Sequence, residues 1–365
     1  MQPSSLDFLT SLIAAPSPSG YEQAVADLYR DRVTPIADRV TTDDVGNVIA
    51  ALNPDAPMRI MLAGHMDEIG FAIHYIADDG LLRFSPIGGH DSTTPIGQRV
   101  WVHGTERVPG VVGHKAIHLL DPDELKEKPK MSDLWIDIGA ASREEAEAVV
   151  QLGDVVTFHQ EFQSLLGDRA AARAFDNKAG LFAIAEALRL LREDGGLHPE
   201  IGVYAVATVQ EEIGSRGAQV AAFGIAPQSG IAVDMGQAID YPGVSRDRHG
   251  QLDIGRGPGI DRGANTNQRV FTLLAEAARE DGIPFQVHVT PGTTPTDAKA
   301  MQVNRSGMAT ALLSVPLRYM HTPSEVISLA DLEATARLMA AYCRRVRPDT
   351  DFTPQALGRP GRPRP

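Results

Sequence analysis

The chain has 365 residues and a formal net charge of −13, with 47 acidic and 34 basic side chains, and this acidity argues against a nucleic-acid partner. Hydrophobic residues make up 43% of the sequence, which is ordinary for a globular protein, and no run approaches the ~20 apolar residues that a membrane-spanning helix needs. The length exceeds one ordinary core and predicts about two domains.

The first predicted elements are a helix and a strand pair. Ser19 and Glu22 have the spacing of a capping box, which predicts the start of a helix. Its apolar face consists of Val25, Leu28, Tyr29 and Val33. A strand pair is expected next, formed by RVTTDDVGNVIAAL and MRIMLA, and the second strand ends at His65.

Helical and strand patterns alternate in the second half of the chain. The predicted helices are NKAGLFAIAEALRLLRED, which Gly195 and Gly196 end, followed by 270–281 and about 329–346. The predicted strands are 201–209, 229–233, 284–290 and 309–317. This alternation predicts an α/β fold in which helices flank a mixed, largely parallel sheet.

The segment from 70 to 165 has a different pattern. Short β-like runs are separated by Gly, Pro and Asp, and only SREEAEAVV looks helical, which indicates an inserted, small β-barrel-like domain. The predicted organisation is a discontinuous α/β domain (1–69 and 166–348), the β-rich insertion (70–165) and a flexible tail (349–365) rich in Pro, Gly and Arg.

The N-terminus and the single cysteine predict the cellular location. The N-terminus lacks the basic segment and the unbroken apolar run of a signal peptide. Cys343 cannot form an internal disulfide, which favours a reducing compartment, and its helical surroundings indicate a core thiol. We expect a cytoplasmic protein.

Acidic residues and histidines follow several of the predicted strands. They are His65 and Asp67 in AGHMDEIG, Asp176 in FDNKAG, Glu211 and Glu212 in VQEEIG, Asp234 in AVDMG and His321 in RYMHTPSE. A polar residue that ends an apolar strand lies at a sheet edge, where open α/β sheets bind ligands. His, Asp and Glu without cysteine suit one or two divalent ions such as zinc, cobalt or manganese.

Each of these residues also has an alternative interpretation. Taken singly, Asp234 could be only a cap at the end of a strand, and His321 could be a hydrogen-bonded structural histidine. Asp67 is either a metal ligand or the carboxylate that accepts the second ring N–H of His65. Asp176 is either an ordinary helix N-cap or a bridge between two cations.

The adjacent Glu211 and Glu212 would point to opposite faces of a strand. A turn at Ile213 and Gly214 would bring both to one cleft, with one as a ligand and the other as a free base, whereas a solvated charge pair is the alternative. Most other histidines are interpreted as surface or hydrogen-bonded residues, but the Gly-Gly-His-Asp turn at His90 could also approach the cleft.

Together and in this order, the motifs resemble those of the M42 family of dinuclear metalloaminopeptidases, the tetrahedral aminopeptidase and glutamyl aminopeptidase group. The similarity extends from APSPSGYE (15–22) to HTPSEVI (321–327). It includes DDVGNVIA, AGHMDEIGF, IGQRVWVHG, FDNKAGLFA, VQEEIGSRGA, VDMG, GPGIDRGAN, TPTDAKAMQ and PLRYMHTPSEV.

The resemblance implies two divalent ions per subunit, zinc or cobalt, with manganese also acceptable. The ligands of one ion would be His65, Asp176 and Asp234, and those of the other Asp176, Glu212 and His321. Asp67 would orient His65. Glu211 would be the general base as a metal-bridged water attacks the scissile carbonyl of a short peptide and releases its N-terminal residue.

The resemblance also implies the organisation of the whole protein. The α/β domain would be catalytic and the inserted β-rich domain would form dimers. We expect a homo-oligomer built from these dimers, most simply a dodecamer, with short peptides as substrates and no nucleic-acid or membrane partner.

Two segments depart from the family pattern. His90 stands where members often have tryptophan, and residues 292–298 read GTTPTDA where Gly-Gly-Thr-Asp-Ala is common. Both are expected near the substrate cleft, so neither the preferred N-terminal residue nor the physiological metal is predicted.

Two other functions compete with this one. An endoglucanase-type glycoside hydrolase also uses paired carboxylates, ~5–9.5 Å apart, but it would leave the histidines without a role, and the chain has only two tryptophans. A non-catalytic assembly protein with a structural zinc is the second alternative, and a free Glu211 beside a ligand argues against it.

Overall fold

The computed structural model describes residues 1–354, and residues 355–365 of the predicted flexible tail lie outside the described residues. Residues 349–354 form neither helix nor strand. The side chain of Asn267 donates a hydrogen bond to the backbone oxygen of Phe352 (2.8 Å), and Phe352 packs against the main core. The first residues of the tail are therefore attached to the domain.

Helices and strands alternate through most of the described chain. The α-helices of residues 1–354 are α1 (Pro3–Ala14), α2 (Gln23–Val33), α3 (Arg143–Glu147), α4 (Phe175–Asp194), α5 (Arg216–Ile225), α6 (Arg246–His249), α7 (Gln268–Glu280), α8 (Asp297–Gln302) and α9 (Leu329–Arg345). The strands are β1 (Arg39–Thr42), β2 (Val48–Leu52), β3 (Met58–His65), β4 (Gly70–Ile76), β5 (Leu82–Ile87), β6 (Arg99–His103), β7 (Arg107–Gly113), β8 (Trp135–Asp137), β9 (Val155–Phe158), β10 (Gln163–Ser164), β11 (Arg169–Ala172), β12 (Ile201–Thr208), β13 (Ser229–Gln237), β14 (Gly259–Gly263), β15 (Gln286–Thr290), β16 (Ala309–Arg318) and β17 (Glu325–Ser328).

One large mixed sheet forms the centre of the α/β part. Its strand order is β1-β2-β12-β3-β13-β16-β17-β11-β10, and β14 and β15 branch from β16. Parallel pairing joins β12, β3, β13 and β16 in the middle and β14 to β15 in the branch. The predicted mixed sheet is confirmed, and its parallel strands are concentrated in the middle.

Apolar side chains cover both faces of this sheet. On β3, Ile60 and Leu62 belong to the core formed with α1, α2, α4, α7 and α9. Met61 and Ala63, which alternate with them, pack in the smaller core with α5 and α8. Burial on both faces is typical of parallel strands, and it leaves the carboxyl edge of the sheet as the place where polar side chains can gather.

The predicted long helices and central strands are present within a few residues, but the predicted strand pair is wrong. RVTTDDVGNVIAAL forms a hairpin of its own, β1 with β2. Its turn forms because one carboxylate oxygen of Asp43 accepts the backbone N–H groups of Val45, Gly46 and Asn47. MRIMLA instead pairs in parallel with β12 and β13.

The predicted capping box is also wrong, although the helix itself, α2, is confirmed. Ser19 and Glu22 do not cap α2: within residues 1–354, no side-chain hydrogen bond caps its first turn. The Ser19 hydroxyl donates to Asp67 (2.6 Å). Glu22 accepts the backbone N–H groups of Gly20 and Gln210. Both side chains are therefore used in tertiary contacts.

The segment between β3 and the return to the sheet forms a closed barrel, as predicted. Its strand order is β4-β5-β8-β7-β6-β9, and Phe71, Val100, Val102 and Ile136 are among the side chains that fill its core. SREEAEAVV supplies the short helix α3. Among the described residues, no helix has the length and apolar character needed to cross a bilayer.

Candidate metal centre

The predicted site residues meet at the carboxyl edge of the central strands. His65 is the last residue of β3, and it lies beside Thr208, the last residue of β12. Asp234 lies near the end of β13. Because these strands are parallel neighbours, their carboxyl ends meet at one edge. The loop after β12 and the first turn of α4 reach the same place.

Two groups of potential ligand atoms form there. The atoms of His65, Asp176 and Asp234 all lie within 4.8 Å of one another, and so do those of Asp176, Glu212 and His321. Asp176 is common to both groups.

In each group, the distances between the histidine nitrogen and the carboxylate oxygens fit a cation bound between them. Nε2 of His65 lies 3.4 Å from Oδ1 of Asp176 and 3.8 Å from Oδ1 of Asp234. Nε2 of His321 lies 3.5 Å from Oδ2 of Asp176 and 3.6 Å from Oε1 of Glu212. A direct N–H···O bond is shorter, whereas two ligands of a tetrahedral zinc ion are about 3.4 Å apart. Each histidine therefore faces a different oxygen of Asp176 at a separation that a cation would bridge.

The electrostatics of the site also favour bound cations. Burial raises the pKa of Asp234 well above its ordinary value and that of Glu212 to about 7. Although burial lowers it, the pKa of His321 rises to about 11 because Asp176 and Glu212 face the ring. Among residues 1–354, the buried Oε1 of Glu212 has no hydrogen-bond partner. A divalent ion would stabilise the charged forms of Asp234 and Glu212, which burial otherwise disfavours.

Asp176 reaches both groups because the backbone is irregular in the first turn of α4, where the helical angles are interrupted at Asp176 (φ −79°, ψ 102°) and at Asn177. Asp176 does not cap the regular helix that follows, since the side chain of Asn177 accepts the backbone N–H of Gly180 (3.0 Å). The interpretation as an ordinary N-cap is therefore wrong. The rings of His321 and His65, which face the two oxygens of Asp176, outweigh the effect of burial and lower the pKa of this carboxyl.

Asp67 lies outside both ligand groups and connects several parts of the site. Nδ1 of His65 is hydrogen-bonded to the backbone oxygen of Asp67 (3.0 Å), and Oδ1 of the Asp67 carboxylate lies 3.3 Å from the same nitrogen. The same carboxylate accepts the backbone N–H groups of Glu211 (2.9 Å) and Glu212 (3.1 Å), and the hydroxyl of Ser19. Asp67 thus faces the ring edge of His65 that points away from the carboxylates, and it fixes the loop that follows β12.

Glu211 is also outside the two ligand groups. Ser215 donates a hydrogen bond to its Oε1 (2.8 Å), and its Oε2 lies 4.0 Å from Nε2 of His65. Burial raises the pKa of this carboxyl. β12 ends at Thr208 and Gln210 has a positive φ of 57°, so the chain already changes direction before Glu211. The predicted turn at 213–214 follows, and there the backbone N–H of Gly214 donates to the backbone oxygen of Glu211 (2.8 Å).

The two segments that depart from the family pattern lie beside this centre. A Cβ atom on Gly89 would be 3.7 Å from Nδ1 of His321, and His90 stacks on Phe71 with ring centroids 4.4 Å apart. In the second segment, Asp297 accepts a hydrogen bond from Thr208 (2.6 Å). Burial raises the pKa of Asp297, and the negative charge of Glu211 raises it further, to about 7.

Sequence reasoning missed the buried groups that support the site. Glu68 contacts Arg173 and Lys178 beneath the metal motifs, and Glu325 accepts the backbone N–H groups of Asp176 and His321. The only signal was their position inside the motifs HMDE and HTPSE, because their partners are up to 149 residues away in the sequence.

Comparisons with known proteins agree with the motif resemblance. Residues 46–338 match the family model of the M42 glutamyl aminopeptidases. The chain is 39% identical to a lysyl aminopeptidase of Pyrococcus furiosus over 95% of this chain and 99% of the relative. The TET aminopeptidase of a marine sediment archaeon of the Thaumarchaeota superimposes with a TM-score of 0.89 at 34% identity, covering 94% and 96% of the two chains. PhTET1-12s, which was solved as a dodecamer, superimposes with a TM-score of 0.82 at 32% identity. The match covers 95% of this chain and 100% of the PhTET1-12s chain.

Proposed function

Because the chain belongs to the M42 glutamyl aminopeptidase family and is therefore an aminopeptidase, we propose that it removes N-terminal residues from short peptides at a centre of two divalent ions. The observation that carries this proposal is that Asp176 is shared by two ligand groups while Glu211 belongs to neither.

The ligand assignment follows the two groups. His65, Asp176 and Asp234 would hold one ion, and Asp176, Glu212 and His321 the other. Nitrogen and carboxylate ligands without sulfur accept zinc and cobalt, and manganese as well. When bound, such ions polarise the scissile carbonyl and make water a nucleophile near neutral pH.

Glu211 is the general base in this proposal. Ser215 holds Oε1, so Oε2 is the oxygen that takes a proton from the attacking water and returns it to the leaving amine. Burial raises the pKa of Glu211, which makes the carboxylate a stronger base. Asp67 orients the His65 ring and, through the two backbone N–H groups that it binds, keeps Glu211 and Glu212 in place.

The proposal extends to organisation and location. We assign catalysis to the discontinuous α/β domain, residues 1–69 and 166–348. We assign dimer formation to the barrel insertion, residues 70–165. The assembled protein would be a dodecamer in the cytoplasm. Several large apolar side chains are exposed on the insertion, namely Val111, Ile117, Leu119, Leu125, Val149 and Leu152. A second subunit would cover such residues. The dodecameric state of PhTET1-12s supports the count of twelve.

A substrate panel tests the proposed activity. Aminoacyl anilides, N-acetylated aminoacyl anilides and carboxymethylcellulose are incubated with the zinc- or cobalt-loaded protein. Only the free-amine anilides should be hydrolysed. Release of reducing sugar would favour the glycosidase, in which His65 and His321 would have no role, and metal binding without any hydrolysis would favour a structural zinc site.

A further inference from the structure

One buried carboxylate, that of Glu325, binds the backbone of both Asp176 and His321. Together with Glu212, these two residues form the second ligand group, which is called the second cation site below. Glu325 is the first residue of β17 and only 2% exposed. Its Oε2 accepts the backbone N–H of Asp176 (3.0 Å), and its Oε1 accepts that of His321 (2.9 Å). Glu325 belongs to neither ligand group.

These two ligands need such support because regular structure does not hold them. Asp176 interrupts the helical angles of α4, and His321 has a φ of 60°, in the left-handed region that side chains disfavour. Their N–H groups require partners outside a helix or a sheet ladder. Glu325 supplies one oxygen to each.

The other ligands are held differently. His65 and Asp234 lie within strands β3 and β13, whose pairing fixes their backbone. Glu212 follows β12, and Asp67 accepts its backbone N–H. Only the group of Asp176, Glu212 and His321 contains two residues that depend on Glu325.

We propose that Glu325 is a positioning residue that sets the spacing between Asp176 and His321 and thereby determines the affinity of the second cation site. The inference rests on the proposed dinuclear function. Both carboxylate oxygens are required, because each accepts one N–H. The isosteric Glu325→Gln variant would direct an NH₂ group at one of these donors and leave it without an acceptor.

The test measures cation binding directly. Zinc and cobalt are titrated into chelated wild type and Glu325→Gln by calorimetry, and the ions per chain are counted after dialysis. Wild type should show two classes of site. In Glu325→Gln we expect the class of site that contains both Asp176 and His321 to lose roughly ten-fold or more in affinity, whereas the other class, which shares only Asp176, should lose clearly less.

Asp331→Asn is a matched control. Asp331 is also 2% exposed and its two oxygens accept backbone N–H groups, those of Gly255 (2.6 Å) and Gly257 (2.7 Å), away from the metal motifs. This variant should lower the melting temperature without changing either class of site. If Glu325→Gln does not fold, Glu325→Asp should show the same selective loss, because its shorter side chain cannot reach both N–H groups.

Three results would overturn the inference. The first is that Glu325→Gln binds both ions as wild type does, the second is that both classes of site weaken equally, and the third is that Asp331→Asn shows the same selective loss. A wild-type chain that binds only one ion would overturn the dinuclear proposal itself, and the number of ions per wild-type chain is therefore established before any variant is compared.

Discussion

Replacing each of the two adjacent glutamates by glutamine separates the base from the ligand. Glu211→Gln keeps the size of the side chain, and the amide oxygen can still accept the hydrogen bond from Ser215, but the amide cannot take a proton. We expect kcat to fall roughly 10²–10⁴-fold, toward the upper limit, because the neighbouring carboxylates of Asp176, Glu212 and Asp234 are assigned to the cations. The number of bound ions should not change, since Glu211 is outside both ligand groups.

Glu212→Gln should have the opposite effect. It removes the charged oxygen that lies 3.6 Å from Nε2 of His321, so the second ion should bind more weakly, and raising the cation concentration should restore part of the activity. Anilide hydrolysis and ions per chain are measured for both variants, with Glu276→Gln, at an exposed position of α7, as the control. Loss of an ion from Glu211→Gln but not from Glu212→Gln would show that the two roles are reversed.

Three further predictions concern two buried side chains that support the site, Ser19 and Glu68, and the oligomeric state of the protein. Ser19→Ala removes the 2.6 Å hydrogen bond to Asp67 and should lower kcat of the metal-saturated enzyme by about ten-fold, with Ser19→Thr restoring it; an unchanged kcat in Ser19→Ala would contradict this role. Although burial raises it, Arg173 and Lys178 lower the pKa of Glu68 to about 2, so the stabilisation by Glu68 is present above its unfolded pKa of ~4.3 and is lost as the pH falls toward 2. In urea unfolding of chelated protein, the difference in unfolding free energy between wild type and Glu68→Gln should therefore be nearly constant from pH 5 to about pH 6, below the pKa of about 8 of Lys178, and should narrow by about 2 kcal/mol at pH 3. A difference that does not depend on pH in this acidic range would be inconsistent with a charged Glu68. Light scattering after gel filtration should give about twelve times the chain mass of 39.2 kDa, whereas twice that mass would leave only a dimer and the mass of one chain would exclude an oligomer.

The sequence predicts those parts of the site that local patterns determine. His65 and Asp234 follow strand-like apolar runs, and parallel strands bring their carboxyl ends together. The barrel was predictable because short alternating runs are separated by turn residues. The family resemblance then gave the grouping of the ligands around Asp176, which the spacing of the motifs alone left open.

The sequence could not predict the contacts between distant side chains. Ser19 and Glu22 have the local signature of a capping box, but tertiary partners, Asp67 and Gln210, take their side chains instead. The role of Asp67 as an acceptor for the loop after β12 depends on a contact across 144 residues. Glu325 was missed for the same reason, because its function depends on two backbone groups and not on any neighbour in its own strand.

The dependence of hydrolysis on the number of bound cations tests the central claim most directly. The chain is stripped of metal with a chelator and dialysed, and its activity on an aminoacyl anilide is measured as zinc or cobalt is added back to one and then two ions per chain. Two ion sites that share Asp176 predict no hydrolysis without metal and full hydrolysis once two ions are bound. Full activity in a demonstrably metal-free sample would contradict the account.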